Sequence, residues 1–424
     1  MIIHTVVSGE TPTAIAERYG VPLTRLLADN RLSPDRFLVP GEELIILPTA
    51  ETVTVAPGDS LFSIAAEQNV TPNELLRNNP ILRGIPTIYP GQTLAVSLEG
   101  ERVRDIIVNG YAYPFIEEDV LRAVLPYLTY LTVFTYGFRD DGSLISAEEG
   151  DIVSIANSYG VDALLLISTL QEDGTFNNQL SSRLFDDVTV QERLIEELIT
   201  TLRERGYRGL EVDFEFIPKE DATGYVAFLT RLKNALASEG FPLFVALAPK
   251  TSADQPGLLY EGHDYAAIGA VADYVILMTY EWGYKFGPPG AVAPVPNVER
   301  VVQYAVTEIP NEKILLGVPN YGYDWPLPFV QGESEAQGIG IVAAVEQAGE
   351  RRVDILYDNS AQAPFYQYTD NDTEHVVWFE NASSIAAKLR LVETYDLAGI
   401  SIWQIMRLFP QLYGVINGRY RIES

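Results

Sequence analysis

The run RGLEVDFEFI, residues 208 to 217, sets carboxylates at Glu211, Asp213 and Glu215 into an otherwise apolar segment. Side chains of a strand alternate between its faces, so the three acids share one face while Leu210, Val212, Phe214 and Phe216 take the other. Carboxylates crowded on one face do not all ionise freely, because each negative charge raises the cost of the next and pushes at least one pKa upward. A carboxyl group held protonated near neutral pH is equipped to act as a general acid. The alternative is a half-exposed strand with a solvated acidic face, since Asp and Glu are mostly surface residues. The elements around the strand decide between the two.

From about residue 100 to residue 424, short apolar β-branched runs recur between amphipathic stretches of helical period: DIIVNGYAYP, YLTVFTYGF, DALLLIST, GLEVDFEFI, LFVALAPK, YVILMTYEW, ILLGVPNYGY and GISIWQIM. Eight βα units predict an α/β fold, a (β/α)8 TIM barrel. A doubly wound sheet is the runner-up, and the lack of a glycine-rich phosphate fingerprint counts against it. The acidic run is then the fourth of eight strands. Its apolar set packs under the helices, its acids face the barrel interior, and Glu215 sits at the C-terminal end, where barrel enzymes carry their chemistry. More than fifty residues separate NYGYDW from a helix expected near Asn381, too many for one crossover. A small α+β insertion is expected at about 326–380, forming one wall of a cleft at the barrel top.

Lys and Arg number 29 against 58 Asp and Glu, a net charge of −29. Nucleic acid and anionic membrane surfaces are repelled, so a bound polymer is expected to be recognised through neutral contacts. There is no cysteine, and His4, His263 and His375 lie far apart in the chain, so chemistry without metal or cofactor is the expectation. The opening MIIHTVVSGETP lacks a basic region followed by an apolar one, and no window approaches a membrane span. A protein made without a Sec-type signal is expected.

The first hundred residues repeat. HTVVSGETPTAIAERYGVPLTRLLADN, residues 4 to 30, aligns with VTVAPGDSLFSIAAEQNVTPNELLRNN, residues 53 to 79, at an offset of 49, placing Gly9 on Gly58, Ile15 on Ile64, Leu26 on Leu75 and Asn30 on Asn79. Each copy reads strand, helix, helix, strand. Thr11 and Ser60 stand where helix N-caps belong, Pro12 opens the first helix, and Thr71 with Glu74 spells a capping box for the second helix of copy two. The pattern resembles the LysM module, a βααβ unit that binds glycans containing N-acetylglucosamine, over residues 1–48 and 51–98. A pair of generic protein-interaction modules is the alternative. In the family the sugar lies between the first turn and the loop after the second helix. The resemblance therefore implies contacts from Gly9, Glu10, Thr11 and Asn30 in copy one, and from Gly58, Asp59, Ser60, Leu61, Pro80 and Ile81 in copy two.

Residues 100–424 in turn resemble glycoside hydrolase family 18, whose catalytic strand usually reads D-G-x-D-x-D-x-E, with LMTYEW on strand six and a tryptophan, Trp403, on strand eight. The pairing with LysM modules, and the phrases YGYDWPLP and WFENASSIAAKLRLV, resemble the spore cortex-lytic N-acetylglucosaminidases of endospore-forming bacteria. Arg208 and Glu211 stand where the family usually has Asp, while the Asp-x-Glu of Asp213 and Glu215 is intact. The resemblance implies retaining, substrate-assisted hydrolysis, in which the 2-acetamido group of the sugar attacks its own anomeric carbon. Glu215 would be the acid and then the base, Asp213 would orient the acetamide, Tyr280 would hold its oxygen, and Glu211 would support Asp213. Trp403 would floor the cleaved-sugar site, with Tyr111, Met278, Trp282, Asn320, Tyr321 and Gln404 around it. The implied partner is peptidoglycan or a chitin-type glycan, the implied place the spore, and a monomer is expected. A chitinase acting on chitin oligomers, a non-catalytic lectin and a spore-surface structural protein are the competing readings; the last two have no need of an intact Asp-x-Glu.

Overall fold

Each repeat pairs its first strand with its last. In the computed structural model, which describes residues 1–423, Ile2–Thr5 runs antiparallel to Glu43–Ile46, and Thr49–Thr54 to Thr93–Leu98. Between them lie helices Pro12–Tyr19 and Leu23–Asn30 in copy one, and Leu61–Glu67 and Pro72–Arg77 in copy two. Thr11 Oγ1 accepts from the Ala14 N–H at 3.2 Å, as an N-cap should. The full capping box of copy two is on its first helix, where Ser60 and Ser63 exchange both bonds. At the second helix only half a box forms: Thr71 Oγ1 accepts from Glu74 N at 3.1 Å, and no bond returns from the Glu74 carboxylate among the described residues.

The eight predicted barrel strands close into a parallel barrel, the first (Asp105–Ala112) pairing with both the second (Tyr130–Phe138) and the eighth (Gly399–Trp403). The fourth, Gly209–Asp213, lies between Asp162–Ser168 and Leu243–Leu247. Its outward residues Leu210, Val212 and Phe214 are fully buried, and the Phe214 ring stacks 6.1 Å from Phe228 of the helix Ala222–Ala237. Alternation stops at the strand's end. Phe216, expected on the packing side, has φ 55° and is 38% exposed, because the left-handed turn swings it out toward the mouth.

The insertion after the seventh strand (Ile314–Pro319) is a five-stranded antiparallel sheet with one helix, Ile341–Arg351. Its first strand, Gly322–Leu327, starts ahead of the expected boundary, so YGYDWPLP belongs to the insertion. The modules, for their part, share the barrel's core. Val39, Ile45 and Leu47 belong to the main apolar cluster, and a side chain on Gly414 would come within 3.0 Å of Ile45. The Glu43 carboxylate accepts from Ser383 N (2.7 Å) and Ser383 Oγ (2.6 Å) in the first turn of the helix Ala382–Thr394, where an anion is favoured.

Candidate active site

Glu211, Asp213 and Glu215 lie at successively higher levels of the fourth strand and the turn beyond it. Glu211 is fully buried inside the barrel. Its carboxylate accepts from the Tyr111 hydroxyl and, at 2.9 Å, from Thr132 Oγ1. The polar layer continues sideways: Thr132 Oγ1 lies 3.0 Å from Asn109 Oδ1, and Asn109 Nδ2 donates to Ser401 Oγ at 2.9 Å. Burial pushes the Glu211 carboxyl up to about 7, against the lowering effect of the two hydroxyls. The longer Glu side chain, where the family pattern has Asp, finds its partners on the first two strands.

Above it, Asp213 Oδ1 is buried with no hydrogen-bond partner among the described residues. Burial raises the Asp213 pKa well above the usual carboxylate range, and the charges of Glu215 and Glu211 raise it further. Glu215 is raised by burial and then by the nearby charge of Glu281. These groups open onto a cavity of about 510 Å³ at the C-terminal mouth of the barrel, which Tyr280, Met278, Trp282 and Trp403 also line. Trp403 is braced edge-on by Tyr111 (5.3 Å, 71°) and by Phe134 (5.0 Å, 71°). The Tyr280 hydroxyl is held protonated by burial and by the neighbouring Asp213 and Glu215 charges, so it stands as a donor.

Three expected wall residues are not in the cavity lining. Asn320 is buried, and its amide donates to Gln404 O (2.9 Å) and Arg407 O (2.8 Å), tying the seventh strand to the loop after the eighth. Gln404 spends its side chain on Met406 N at 2.7 Å. Tyr321 donates to Glu281, as does Tyr323 at 3.0 Å. The insertion likewise contributes no lining residue; it reaches the site through Tyr323 and the rim carboxylate of Glu281. Arg208 is exposed at the opposite end of the strand and is not in the cavity lining.

Other site residues carry little signal in the sequence. Glu281 follows Tyr280 directly and adopts φ 66°, a left-handed conformation uncommon for a side-chain-bearing residue and concentrated at functional sites. His263, fully buried, accepts from Ala248 N through Nδ1 (2.9 Å) and faces the Phe214 carbonyl through Nε2 (3.0 Å), so Nε2 carries the proton. Burial lowers its pKa to about 4, and the neutral ring braces the peptide between Asp213 and Glu215. Gly262 permits this, since a β-carbon there would lie 2.3 Å from Ile217 O.

In the modules, Asn30 and its repeat partner Asn79 are buried locks. Asn30 Nδ2 donates to Leu26 O and Ile45 O, and its Oδ1 accepts from Ile45 N at 2.7 Å; Asn79 repeats this with Leu75 and Ala95. Asn30 therefore has no free group for a sugar. Leu61 is fully buried in its module's core, and Glu10 is tied to His4, Val7 and Arg18. Gly9, Thr11, Gly58, Ser60 and Ile81 are exposed, with Asp59 and Pro80 partly so.

Residues 116–407 match the family model of the glycosyl hydrolases family 18. The chain belongs to this family. It is a glycoside hydrolase, and residues 4–47 and 53–97 are LysM domains. Within the family it is similar to the cortical fragment-lytic enzyme of Bacillus anthracis, 37% identical over 100% of this chain and 99% of the relative. A second relative of that name, from Bacillus subtilis strain 168, is 39% identical over 75% of each chain. Among solved structures, the Bacillus cereus spore cortex-lytic enzyme SleL superposes with a TM-score of 0.83 at 36% identity, over 100% of this chain and 99% of that one. Module and barrel occupy one chain here.

Proposed function

We propose that the chain is a retaining, substrate-assisted N-acetylglucosaminidase that cleaves β-1,4 bonds after N-acetylglucosamine in spore cortex peptidoglycan or its fragments. The observation that carries this reading is the buried, unpartnered Asp213 Oδ1 beside Glu215 and Tyr280, an acceptor left open in a fold that satisfies its other barrel acid, Glu211, with two hydroxyls. An acetamide N–H fits that acceptor, and the Tyr280 hydroxyl fits the acetamide oxygen.

With the acetamide so held, its oxygen attacks the anomeric carbon as Glu215 gives its proton to the leaving oxygen. The glycosidic C–O bond breaks and a cyclic oxazolinium forms, its positive charge facing Asp213. Glu215, now a carboxylate, takes a proton from water, whose oxygen attacks the same carbon and restores the acetamide with retained configuration. The sugar in the cleaved position must carry a free N-acetyl group; a muramic lactam, its nitrogen locked in a ring, cannot occupy it. The same requirement admits chitin oligomers as substrates. Trp403, packed edge-on by its neighbours, presents the floor. The names of the similar cortex enzymes support the spore cortex as the place of action, with the exposed first turns of the LysM domains as glycan contacts, and a monomer suffices for the chemistry. Mass spectrometry of digests of spore cortex beside chitin oligomers tests the reading: new reducing ends on N-acetylglucosamine are expected, and reducing ends on muramic acid would overturn it.

A further inference from the structure

A second cavity, of about 610 Å³, opens where the two LysM domains meet the barrel, and shares no lining residue with the cavity at the barrel mouth. Leu27, Arg31 and Leu32 of copy one and Leu76, Pro80 and Ile81 of copy two line it, and at the offset of 49 these are the same three positions of the repeat. One surface of the module is thus presented twice to a single space. Pro80 and Ile81, implied sugar contacts by resemblance, open here and not beside the first turn of their own domain, whose Gly58, Asp59 and Ser60 are absent from the lining.

Charge sets this cavity apart. The chain has twice as many acids as bases, 58 against 29, yet Arg31, Arg77 and Arg83 all line this space and none has a carboxylate within 4.0 Å among the described residues. Arg31 (φ 50°) and Arg83 (φ 51°) occupy left-handed positions at the ends of a helix and a helical turn. Glycine is the usual residue there, and the chain uses it at the equivalent end positions Gly20 and Gly206. At the cavity wall, Asp29 and Tyr413 are more than nine-tenths buried, and Asp29 Oδ1 and the Tyr413 hydroxyl have no hydrogen-bond partner among the described residues. The Asp29 charge is engaged by Arg25 at 2.7 Å, and the other lining carboxylate, Asp119, is exposed. Unpaired cations, unused buried polar atoms and an apolar lining together describe an amphipathic anion.

We infer that this cavity is a second ligand site, taking the carboxylate-bearing end of a short peptide carried on the glycan, with its apolar part against Leu27, Leu32, Leu76 and Ile81 and its carboxylate toward Arg31 and Arg83. The inference rests on peptidoglycan being the polymer, since chitin carries no carboxylate. It departs from the neutral recognition that the overall charge suggests, because three arginines line this junction against the carboxylates of Asp29 and Asp119 alone.

Calorimetric titration of the full chain with N-acetylmuramyl-L-alanyl-D-isoglutamine tests it. Binding is expected, weakening as salt rises from about 50 to about 300 mM. Amidating the probe's terminal carboxyl, or substituting Arg31→Ala with Arg83→Ala, is expected to weaken it at least about tenfold, as loss of charge-assisted hydrogen bonds does. Both arginines are exposed, and turnover of N-acetylglucosamine oligomers by the double variant is expected within about twofold of the parent, reporting that it folds. No binding, equal binding of the amidated probe, or equal binding by the double variant overturns the site. Anion binding with these properties in a chain that fails to cleave cortex glycan would overturn the proposed substrate and leave the site standing.

Discussion

The molecule buries carboxylates in two ways. Glu380 and Lys388 are both fully inaccessible and paired at 2.7 Å; Asp29 is paired with Arg25 at 2.7 Å, and Glu42 with Arg36 at 2.8 Å. In the fourth strand and the turn beyond it, no cation among the described residues lies within 4.0 Å of Glu211, Asp213 or Glu215, which have instead two hydroxyls on the lowest acid and the charges of neighbouring carboxylates. Burial raises the pKa of both kinds; a cation pulls it back down at Asp29, Glu42 and Glu380, whereas at Asp213 and Glu215 neighbouring carboxylates push it up further. Glu43, buried without a cation, is instead tied to Ser383, so what distinguishes the fourth strand is acids set beside other acids, and each kind of acid should fail differently when changed.

Glu215→Gln should lower turnover of N-acetylglucosamine oligomers by about a thousandfold, the scale of a lost general acid, while thermal unfolding is unchanged. Activity within tenfold of the parent would remove Glu215 from that role. Lys388→Ala should show the reverse: it strands Glu380 in the core and costs about 3–5 kcal/mol in urea unfolding, whereas Lys388→Met with Glu380→Leu should recover most of it. Asp213→Asn should separate the two readouts within one residue. Turnover falls by about a hundredfold, yet stability holds or rises, because the substitution removes a charge that its neighbours repel. A destabilised Asp213→Asn would place this acid with the structural kind and erase the contrast.

Much of this was legible in the sequence because it rests on periodicity. The repeat at an offset of 49, the eight barrel strands and the inward face of Glu211 and Asp213 all follow from patterns of period 2 or 3.6. Alternation predicts only while the strand lasts: the ladder ends at Asp213, and the backbone reversal at Phe216 has no sequence mark. Asn30, Asn320 and Gln404 were legible as polar residues near a site but not as locks, since their partners are main-chain groups that any sequence supplies. His263 is hidden for the same reason, bonding only to backbone. Nor does a repeat by itself report whether its modules swing freely. Ile45 and Leu47 packed into the barrel core make removal of residues 1 to 98 a lesion of the barrel, so the modules are better tested by exposed substitutions such as Thr11 or Ser60.

The smallest effect bears on the acid's setting rather than its presence. The charge of Glu281 helps hold the Glu215 carboxyl above its ordinary value, and Tyr321 and Tyr323 hold Glu281 in place. A general acid works while protonated, so turnover declines as pH rises through the Glu215 pKa. Glu281→Gln keeps the hydrogen-bonding shape and removes one negative charge. The carboxylate form of Glu215 then costs less, its pKa falls, and the alkaline limb of kcat should move toward lower pH. Tyr323→Phe leaves that charge in place but loosens its position, so its shift should be smaller than that of Glu281→Gln. An alkaline limb that stays put in Glu281→Gln would mean that burial alone sets the acid, and that the insertion reaches the active site only as a scaffold.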